Sequence, residues 1–414
     1  MVKMYKQTWR ILFCITILFC FLSPLTAEEP FYDSSLIFPL ESWHNHGSSL
    51  VQCPDGSLLA CWFHGSGERK ADDVKILGAR KAKGAKSWSE PFLMADTPSF
   101  PDCNPVLFVD PDNQLWLFWI TILANRWETS LLKYRTATEY LEPGTPHWDW
   151  QDTIHLIPPD TFVDDMLKPW PEFLKEFPQL VPKLKEKLRD ELKADEELYY
   201  FMKNKVSDKL QQRLGWMTRI HPLVLPSGRM LLPLYTDAFS VGLIAMTDDK
   251  GQTWQASRPL VGYGNIQPSL VRKTNGTIVA MMRENGPRNR IRISTSPDDG
   301  YTWSDVGEMP FPNPGASVEI LRLQNGHWIL MYNDTIDGRH KLNLSISADE
   351  GETWTWHRHL ENEEPDTGSF SYPSIIQARD GMIHATYSYH LPGSKKSIKY
   401  VKFNESWVQQ GDKE

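Results

Sequence analysis

The chain has 414 residues, of which 41% are hydrophobic and 12% aromatic. It can therefore bury a large core, and its composition is typical of a globular protein rather than a disordered one. The formal net charge of -8 leaves no general basic surface, so nucleic acid is excluded as an expected partner.

The first residues differ in composition from the rest of the chain. A basic segment, MVKMYKQTWR, precedes the uncharged run ILFCITILFCFLSPLTA. This order predicts a secretory signal peptide over residues 1–27, with cleavage after Ala27 and export to the periplasm or the cell exterior. An uncleaved membrane anchor is the alternative, but the apolar run is shorter than the ~20 residues that a spanning helix needs. No second apolar run follows, so we expect no integral membrane segment after signal removal.

Three cysteines follow the predicted signal: Cys53, Cys61 and Cys103. An odd number cannot form a closed disulfide framework. Their apolar neighbours, as in LLACWF, favour buried structural residues over a catalytic thiol.

One motif recurs at intervals of about fifty residues, a period typical of repeat proteins. TDDKGQTW (247–254), SPDDGYTW (296–303) and SADEGETW (347–354) all fit the pattern [ST]-x-D-x-G-x-T-W, here called the Asp box. We expect each box to follow the third strand of a repeat. Its Asp would accept backbone hydrogen bonds, and its Trp would pack between neighbouring sheets.

Hairpin turns provide a second, independent repeat signal. Asp-Gly or Asn-Gly pairs, or looser copies of them, lie between alternating apolar runs at Asp55-Gly56, Asn113, Gly228, Asn275-Gly276, Asn325-Gly326 and Asp380-Gly381. Six hairpins at this period predict an all-β fold, a six-bladed β-propeller spanning residues 28–414. The terminal strand at 398–404 and the amino-terminal segment would close the ring together.

One interval is too long for a single blade. Residues 171–215 combine high charge density with the apolar spacing of amphipathic helices. They predict a helical insertion between blades, within 150–215. It could be a solvated helical hairpin without chemistry or a lid over the propeller mouth.

The repeat register predicts which side chains share a mouth of the propeller. In each blade the first strand lines the channel, so residues at matching distances before the turn glycines should converge. These are His46, Gly47, Asn104, Arg219, Gln267, Ser317 and Tyr372. A second ring, where the second strands end, is His64, Arg283, Glu284, Asn333, Asp334, Ser388 and Tyr389. Such a polar set predicts a binding or catalytic pocket.

Together these features resemble the sialidase superfamily, the exo-glycosidases with BNR or Asp-box repeats. The stretches NPG and SYPSIIQ are similar to those of its secreted bacterial-type members. The resemblance covers residues 40 to 405 except the insertion. It implies a glycan or acidic oligosaccharide substrate and a retaining mechanism: a Tyr attacks the anomeric carbon, a Glu accepts its proton, an Asp is the acid/base, and three Arg hold the sugar carboxylate.

Carried over to this sequence, the resemblance implies Tyr372 as nucleophile, Arg283 and Arg339 as two of the arginines, and Asp72 or Asp73 as acid/base. Two positions depart from the pattern. His46 stands where the family has an Arg, and Gln267 stands where it has the Glu.

These departures change the expected chemistry. A neutral amide cannot accept the phenol proton, so we predict that Glu319, on the same strand face as Ser317, replaces the missing base. A clamp with one Arg fewer holds the carboxylate of sialic acid less well. We therefore also consider acidic sugars whose carboxylate is placed differently as substrates.

Three functions remain open. The first is an exo-glycosidase of sialidase type using Tyr372. The second is a lyase or glycosidase acting on uronate or deoxysugar polysaccharides, with His46 or His221 as base and Arg219 and Arg283 neutralising the carboxylate. The third is a non-catalytic glycan-binding propeller.

Metals and cofactors are not expected. The Asp boxes lack the acidic ligands of a calcium loop. His44 and His46 have a spacing suited to zinc, but the sequence indicates no third ligand.

Overall fold

The computed structural model describes residues 28–189 and 197–412. Most of this part is β-structure, arranged in six sheets. The predicted signal peptide, residues 1–27, lies outside the described residues.

The strands form six blades in chain order, except that the first strand, β1 (Tyr32–Leu36), belongs to blade 6. Blade 1 contains β2–β5 (His44–Gln52, Leu58–Gly65, Lys75–Lys81, Phe92–Ala95), and blade 2 contains β6–β9 (Asp102–Val109, Leu115–Ile122, Ser130–Ala137, Trp150–Thr153). Blade 3 contains β10–β14 (Met217–Thr218, Leu223–Val224, Met230–Thr236, Val241–Thr247, Gln255–Ala256), its inner strand being divided into β10 and β11. Blade 4 contains β15–β18 (Asn265–Arg272, Ile278–Glu284, Arg290–Ser296, Gly307–Pro312) and blade 5 contains β19–β22 (Glu319–Arg322, Trp328–Tyr332, Lys341–Ser347, Trp356–Asn362). Blade 6 contains β23–β25 (Ser369–Gln377, Ile383–Leu391, Lys395–Phe403) and β1.

The blades form a closed ring. Neighbouring blades contact each other through their inner strands or, between blades 3 and 4, through β12 and β15, and β23 of blade 6 contacts β2 of blade 1. The outer strand of blade 6 comes from the amino-terminal side, because β1 pairs antiparallel with β25, with Tyr32 opposite Phe403 and Leu36 opposite Lys399. The predicted six-bladed propeller and its closure are confirmed.

The hairpin turns follow the sequence signals. In every blade the predicted turn joins the first strand to the second, and its residue has a positive φ: Gly56, Asn113, Gly228, Gly276, Gly326 and Gly381. Apolar residues of these strands pack between neighbouring sheets, since a strand alternates its side chains between two faces. Cys53, Cys61 and Cys103 are buried free thiols within this core, as predicted.

Each Asp box follows the third strand of its blade and acts as a turn. In blade 4 the Asp298 carboxylate accepts hydrogen bonds from the Thr302 backbone (2.8 Å), the Thr302 hydroxyl (2.6 Å) and the Ser296 hydroxyl (2.9 Å). The box tryptophans pack against the preceding blade, as in the 5.6 Å edge contact between Trp354 and Phe311. The structural role predicted for the motif is therefore confirmed.

Among the described residues, five α-helices lie between blades 2 and 3 and a sixth follows β25: α1 (Phe162–Leu167), α2 (Trp170–Glu176), α3 (Leu180–Leu188), α4 (Leu198–Ser207), α5 (Lys209–Arg213) and α6 (Glu405–Gln409). Residues 150–153 of the predicted insertion instead form β9, because they pair with β8. No helix in the two described ranges is long and apolar enough to cross a membrane.

The insertion is docked onto the propeller rather than solvated on all sides. Phe162, Met166 and Trp170 are buried, and the Trp170 ring meets Tyr263 at 4.8 Å. Glu176 also pairs with Arg288 at 2.6 Å. The insertion therefore contacts two loops of blade 4, the one before β15 and the one between β16 and β17.

Candidate active site

Side chains from all six blades line a cleft of about 360 Å³ at one mouth of the propeller. The cleft lies where the inner strands begin and the second strands end. His46, Asn104, Arg283, Arg339 and Tyr372 all line it, so the structure brings together five of the predicted site residues.

The inner strands direct residues into the cleft through a shared distortion. Four of them contain a β-bulge, and each bulge holds one residue with positive φ: Gly47 (62°), Asn104 (51°), Gln267 (56°) and Tyr372 (59°). A left-handed conformation is unfavourable for a residue with a Cβ, so the surrounding structure must hold it in place. The last three of these residues precede a proline, which is the signal of the bulge in the sequence.

Tyr372 lies among cations. Its hydroxyl accepts a hydrogen bond from Nη1 of Arg283 at 2.7 Å, and the Arg339 guanidinium lies 5.4 Å from the ring centre. Burial opposes ionisation of the phenol, but the charges of Arg283 and Arg339 outweigh it and hold the pKa of Tyr372 below its ordinary value. Two arginines thus favour the phenolate, the nucleophilic form of a tyrosine.

Arg219 does not line the cleft, contrary to its predicted substrate-binding role. It is 1% exposed and lies behind Tyr372. Its guanidinium donates to the backbone carbonyls of Tyr372 (2.6 Å), Pro373 (3.2 Å) and Ser48 (3.1 Å). With all these donors bound to the backbone, Arg219 holds the bulge rather than a ligand.

Three histidines form one wall of the cleft. His46 packs 4.1 Å from the Tyr372 ring, and its centre lies 5.7 Å from His44 and 5.5 Å from His390. Burial, reinforced by His390 and other neighbouring basic groups, holds the pKa of His46 well below its ordinary value. Burial likewise lowers the pKa of His44 and His390 to about 4. The wall is therefore uncharged at neutral pH.

Polar groups surround the phenol on the remaining side. Gln267, which was predicted to bind substrate, does not line the cleft: it is buried beside Tyr372 and Tyr235 and, after the charges of Arg283 and Arg339, contributes to lowering the pKa of the Tyr372 phenol. Asn104 donates to the Tyr235 hydroxyl at 3.0 Å. Asp237 lines the cleft, and burial raises the pKa of its carboxyl. Such groups suit a ligand that carries many hydroxyls.

The predicted acid/base residues, Asp72 and Asp73, do not line the cleft. Asp72 is exposed and accepts from Asn125 at 2.8 Å, and Asp73 accepts from the backbone and hydroxyl of Ser66. The carboxyl of this loop that lines the cleft is Glu68, because the loop turns the two aspartates toward its own backbone and a neighbouring loop. Burial raises the pKa of Glu68, although Arg69 at 3.5 Å opposes the shift.

Glu319 and His221 lie at the opposite end of the channel, so the predicted replacement of the missing base by Glu319 is not supported by the geometry. Glu319 contacts Nδ1 of His221 at 2.5 Å and accepts from the Ile375 backbone at 3.1 Å. Nε2 of His221 meets the Leu50 carbonyl at 3.0 Å. Both side chains therefore bind the protein itself and separate the two ends of the channel.

Metal ligation has no support within the described ranges, where no group of three or more His, Cys, Asp or Glu side chains could hold a metal ion. His44 and His46 belong instead to the uncharged wall.

Seven residues of the cleft were not among the candidates from the sequence: Glu68, Trp127, Tyr235, Asp237, Ile266, Asn285 and His390. Tyr235 and Asp237 lie in YTDAF, at and just after the end of the second strand of blade 3. The register used for the second ring could have identified this segment. Glu68 and Trp127 lie in loops, where repeat register gives no prediction.

Comparisons with known proteins agree with this fold. The family model described as a BNR repeat-like domain matches residues 56–183 and 202–385. The anhydrosialidase of Macrobdella decora is 27% identical over 195 residues, which are 44% of this chain. The matched part is 24% of that relative's length, about a quarter.

Two solved structures are similar over most of the chain. The NanB sialidase from Streptococcus pneumoniae aligns with a TM-score of 0.64 at 13% identity, covering 90% of this chain and 71% of that one. A leech intramolecular trans-sialidase complexed with 2,7-anhydro-Neu5Ac aligns with a TM-score of 0.65 at 15% identity, covering 91% of this chain and 71% of that one. At this identity the structural likeness shows the fold. The family match, which extends over most of the sequence, shows that the chain belongs to the BNR repeat-like family and has the six-bladed propeller of the sialidase superfamily.

Proposed function

We propose that this protein is an exo-acting glycoside hydrolase that removes a terminal acidic sugar from a glycan, with retention and with Tyr372 as nucleophile. The observation that carries the proposal is the 2.7 Å contact of Arg283 with the Tyr372 hydroxyl, with Arg339 over the same ring. These cations can attract a sugar carboxylate and can also favour the phenolate.

The departure at Gln267 is compatible with this mechanism. A Tyr nucleophile needs help in losing its proton, and a carboxylate base is one source of that help. Here two neighbouring guanidiniums lower the pKa of the phenol instead. The phenolate can then form without a dedicated base.

Glu68 fits the acid/base role better than Asp72 or Asp73. A general acid must be protonated when the substrate binds, and burial raises the pKa of Glu68. In the first step the Tyr372 oxygen bonds to the anomeric carbon while Glu68 donates its proton to the departing glycosidic oxygen. In the second step Glu68 takes a proton from water, which displaces the tyrosine and releases the sugar with its configuration retained.

The test is steady-state kinetics on aryl glycosides of a panel of acidic sugars. Tyr372→Phe should lower kcat by about a thousandfold or more, because the variant lacks the attacking oxygen. Tyr389→Phe is the matched control, since Tyr389 lies in the same blade outside the cleft. Parental activity of Tyr372→Phe would exclude the tyrosine mechanism.

One observation supports a second candidate, a lyase acting on uronate polysaccharides. His46 is uncharged and lies against the cleft, so it could remove a proton next to a carboxylate held by Arg283. Products absorbing in the ultraviolet as unsaturated uronates, together with loss of activity in His46→Ala, would favour this reading. Binding of the same glycans without any product would favour a non-catalytic propeller.

A further inference from the structure

A second cleft, here called the distal cleft, occupies the other mouth of the propeller. It has a volume of about 680 Å³ and is lined where the inner strands end, including Val109, Val224, Arg272, Arg322 and Gln377. The buried Arg219 and the pair formed by Glu319 and His221 separate it from the cleft that contains Tyr372. The distal cleft is thus a separate surface.

Two arginines of the distal cleft lack counter-ions. Arg272 and Arg322 are the last residues of β15 and β19, the inner strands of neighbouring blades. Each guanidinium lies over the turn glycine of its own hairpin, with Nη2 3.3 Å and 3.6 Å from where a Cβ of Gly276 and Gly326 would be. Across the described ranges, neither arginine has a carboxylate partner.

Arg272 in particular is incompletely satisfied. Its Nε is buried without a hydrogen-bond partner in the part of the chain that the structure describes. Burying a polar group without a partner is unfavourable, so such an atom calls for a partner that the protein does not supply. An anionic oxygen that enters the cleft would also relieve the unpaired positive charge of the same side chain.

The lining of the distal cleft has more cations than anions: four cationic side chains, Arg272, Lys273, Arg322 and Arg379, against the carboxylates of Asp110 and Glu319. Lys273 pairs with Glu352 at 2.7 Å, and Arg379 donates to the carbonyls of Cys53 and Pro54 without a carboxylate. The two acidic residues are already engaged: Glu319 contacts His221, and Asp110 accepts from its own turn and from Trp116. This local excess of cations contrasts with the net charge of -8 of the whole chain.

We infer that the distal cleft binds a segment of an anionic polysaccharide, with Arg272 and Arg322 contacting acidic groups on different rings. The two guanidiniums lie over separate hairpin turns of adjacent blades, which suits a chain with repeated charges rather than one small anion. Valines, leucines and prolines form much of the lining, and these do not provide the aromatic stacking that single-stranded nucleic acid prefers. The inference goes beyond the proposed function, because it concerns binding at a surface remote from Tyr372.

The experiment measures binding by calorimetry with an oligogalacturonate as the probe and a neutral malto-oligosaccharide of equal length as its comparison. Arg283→Ala serves as the background, so that binding in the Tyr372 cleft does not contribute. In this background Arg272→Gln and Arg322→Gln are compared with Arg213→Gln, which removes the same charge from an exposed residue of α5. Thermal unfolding of each variant verifies that it folds.

We expect Arg272→Gln and Arg322→Gln each to weaken binding of the acidic probe about tenfold or more, since each removes a guanidinium contact. Arg213→Gln should have little effect, and the neutral probe should not bind. Equal affinity in all variants, or an equal loss in Arg213→Gln, would overturn the inference, as would tighter binding of a single-stranded oligonucleotide of the same charge. In an otherwise unchanged chain, turnover of a small aryl glycoside should be unaffected by Arg272→Gln and Arg322→Gln, which separates this test from that of the proposed function.

Discussion

The Tyr372 peptide is held from behind by one buried arginine. Arg219 donates to the backbone carbonyls of Tyr372 and Pro373, and Tyr372 itself has a φ of 59°. A tyrosine in this conformation needs external support, because isolated chains avoid it. Arg219 is therefore a positioning residue, and its cation also lies 5.0 Å from the phenol ring.

If Tyr372 is the nucleophile, replacing Arg219 should affect turnover more than binding. Arg219→Lys should lower kcat about tenfold to a hundredfold with little change in KM, because an ammonium cannot reach all three carbonyls and the nucleophile is displaced. The alkaline limb of the pH profile, which follows the pKa of Tyr372, should stay in place, since lysine keeps the positive charge beside the phenol. In Arg219→Met the charge is lost, and that limb should move to higher pH.

Parallel steady-state kinetics and pH profiles of the two variants test this prediction. A parental kcat in both variants, together with an inactive Tyr372→Phe, would show that Arg219 has no positioning role while leaving the tyrosine mechanism intact.

Glu68 and Tyr372 together predict a bell-shaped dependence of kcat/KM on pH. The reactive form needs a protonated Glu68 and an ionised Tyr372, so its population falls below the lower of the two pKa values and above the higher. Burial raises the pKa of Glu68, and the arginines lower that of Tyr372, so both limbs move toward neutral pH.

Removal of the acid should change the shape of this curve. With a substrate whose leaving group needs no proton, Glu68→Gln should show activity that only rises with pH, through the pKa of Tyr372. Asp73→Asn is the control, because Asp73 belongs to the same loop outside the cleft. A bell-shaped pH profile that persists in Glu68→Gln, or disappears in Asp73→Asn, would contradict the assignment of Glu68 as the general acid.

At the scale of the element, the Asp box is a stabilising turn. Asp298→Ala should lower the free energy of unfolding by about 1–3 kcal/mol, because the Thr302 backbone and two hydroxyls lose their acceptor. Substrate affinity should hardly change. Denaturant unfolding beside the parent measures the effect, and unchanged stability with lost activity would show that the box is functional.

The same turn has a predictable pH dependence. Partial burial opposes ionisation of Asp298, but hydrogen bonds from Thr302 and Ser296 outweigh it and lower the pKa of the carboxyl from 3.8. A lowered pKa stabilises the fold at pH values above 3.8, and this contribution disappears as pH falls through the folded value. The stability difference between Asp298→Ala and the parent should therefore shrink below about pH 4.

The helical insertion is the element whose description changed most between sequence and structure. Its charge density indicated either a solvated hairpin or a lid, but α1 and α2 bury Phe162, Met166 and Trp170 against the propeller. The apolar spacing predicted the helices correctly. It could not indicate which blade would receive their apolar face, because that depends on aromatic partners such as Tyr263, which is distant in sequence.

At the scale of the whole molecule, closure of the ring depends on one short strand. β1 supplies the outer strand of blade 6, and Tyr32 stacks on Trp407 at 4.5 Å. A chain that starts at Ile37 should therefore unfold at a markedly lower temperature and self-associate, because β25 becomes an exposed edge. Asp33→Ala, at an exposed position of β1, should leave the melting temperature unchanged.

Thermal unfolding and light scattering measure both effects. A truncated chain that remained monomeric with a parental melting temperature would show that blade 6 does not need β1.

The sequence by itself determined the fold because the propeller is built from a repeated local pattern. Alternating apolar strands, glycine turns such as Gly276 and the Asp boxes each act over a few residues, and their period gave the number of blades. The same register predicted that His46, Asn104, Arg283 and Tyr372 would share a mouth.

Tertiary structure decided what each polar group binds. Arg219 has the right register but turns to backbone groups behind the bulge, and Glu319 lies at the opposite end of the channel against His221. A non-repeating loop directs Glu68 rather than Asp72 or Asp73 into the cleft. Hydrogen-bond partners that are distant in sequence fix these orientations, and periodicity contains no information about such partners.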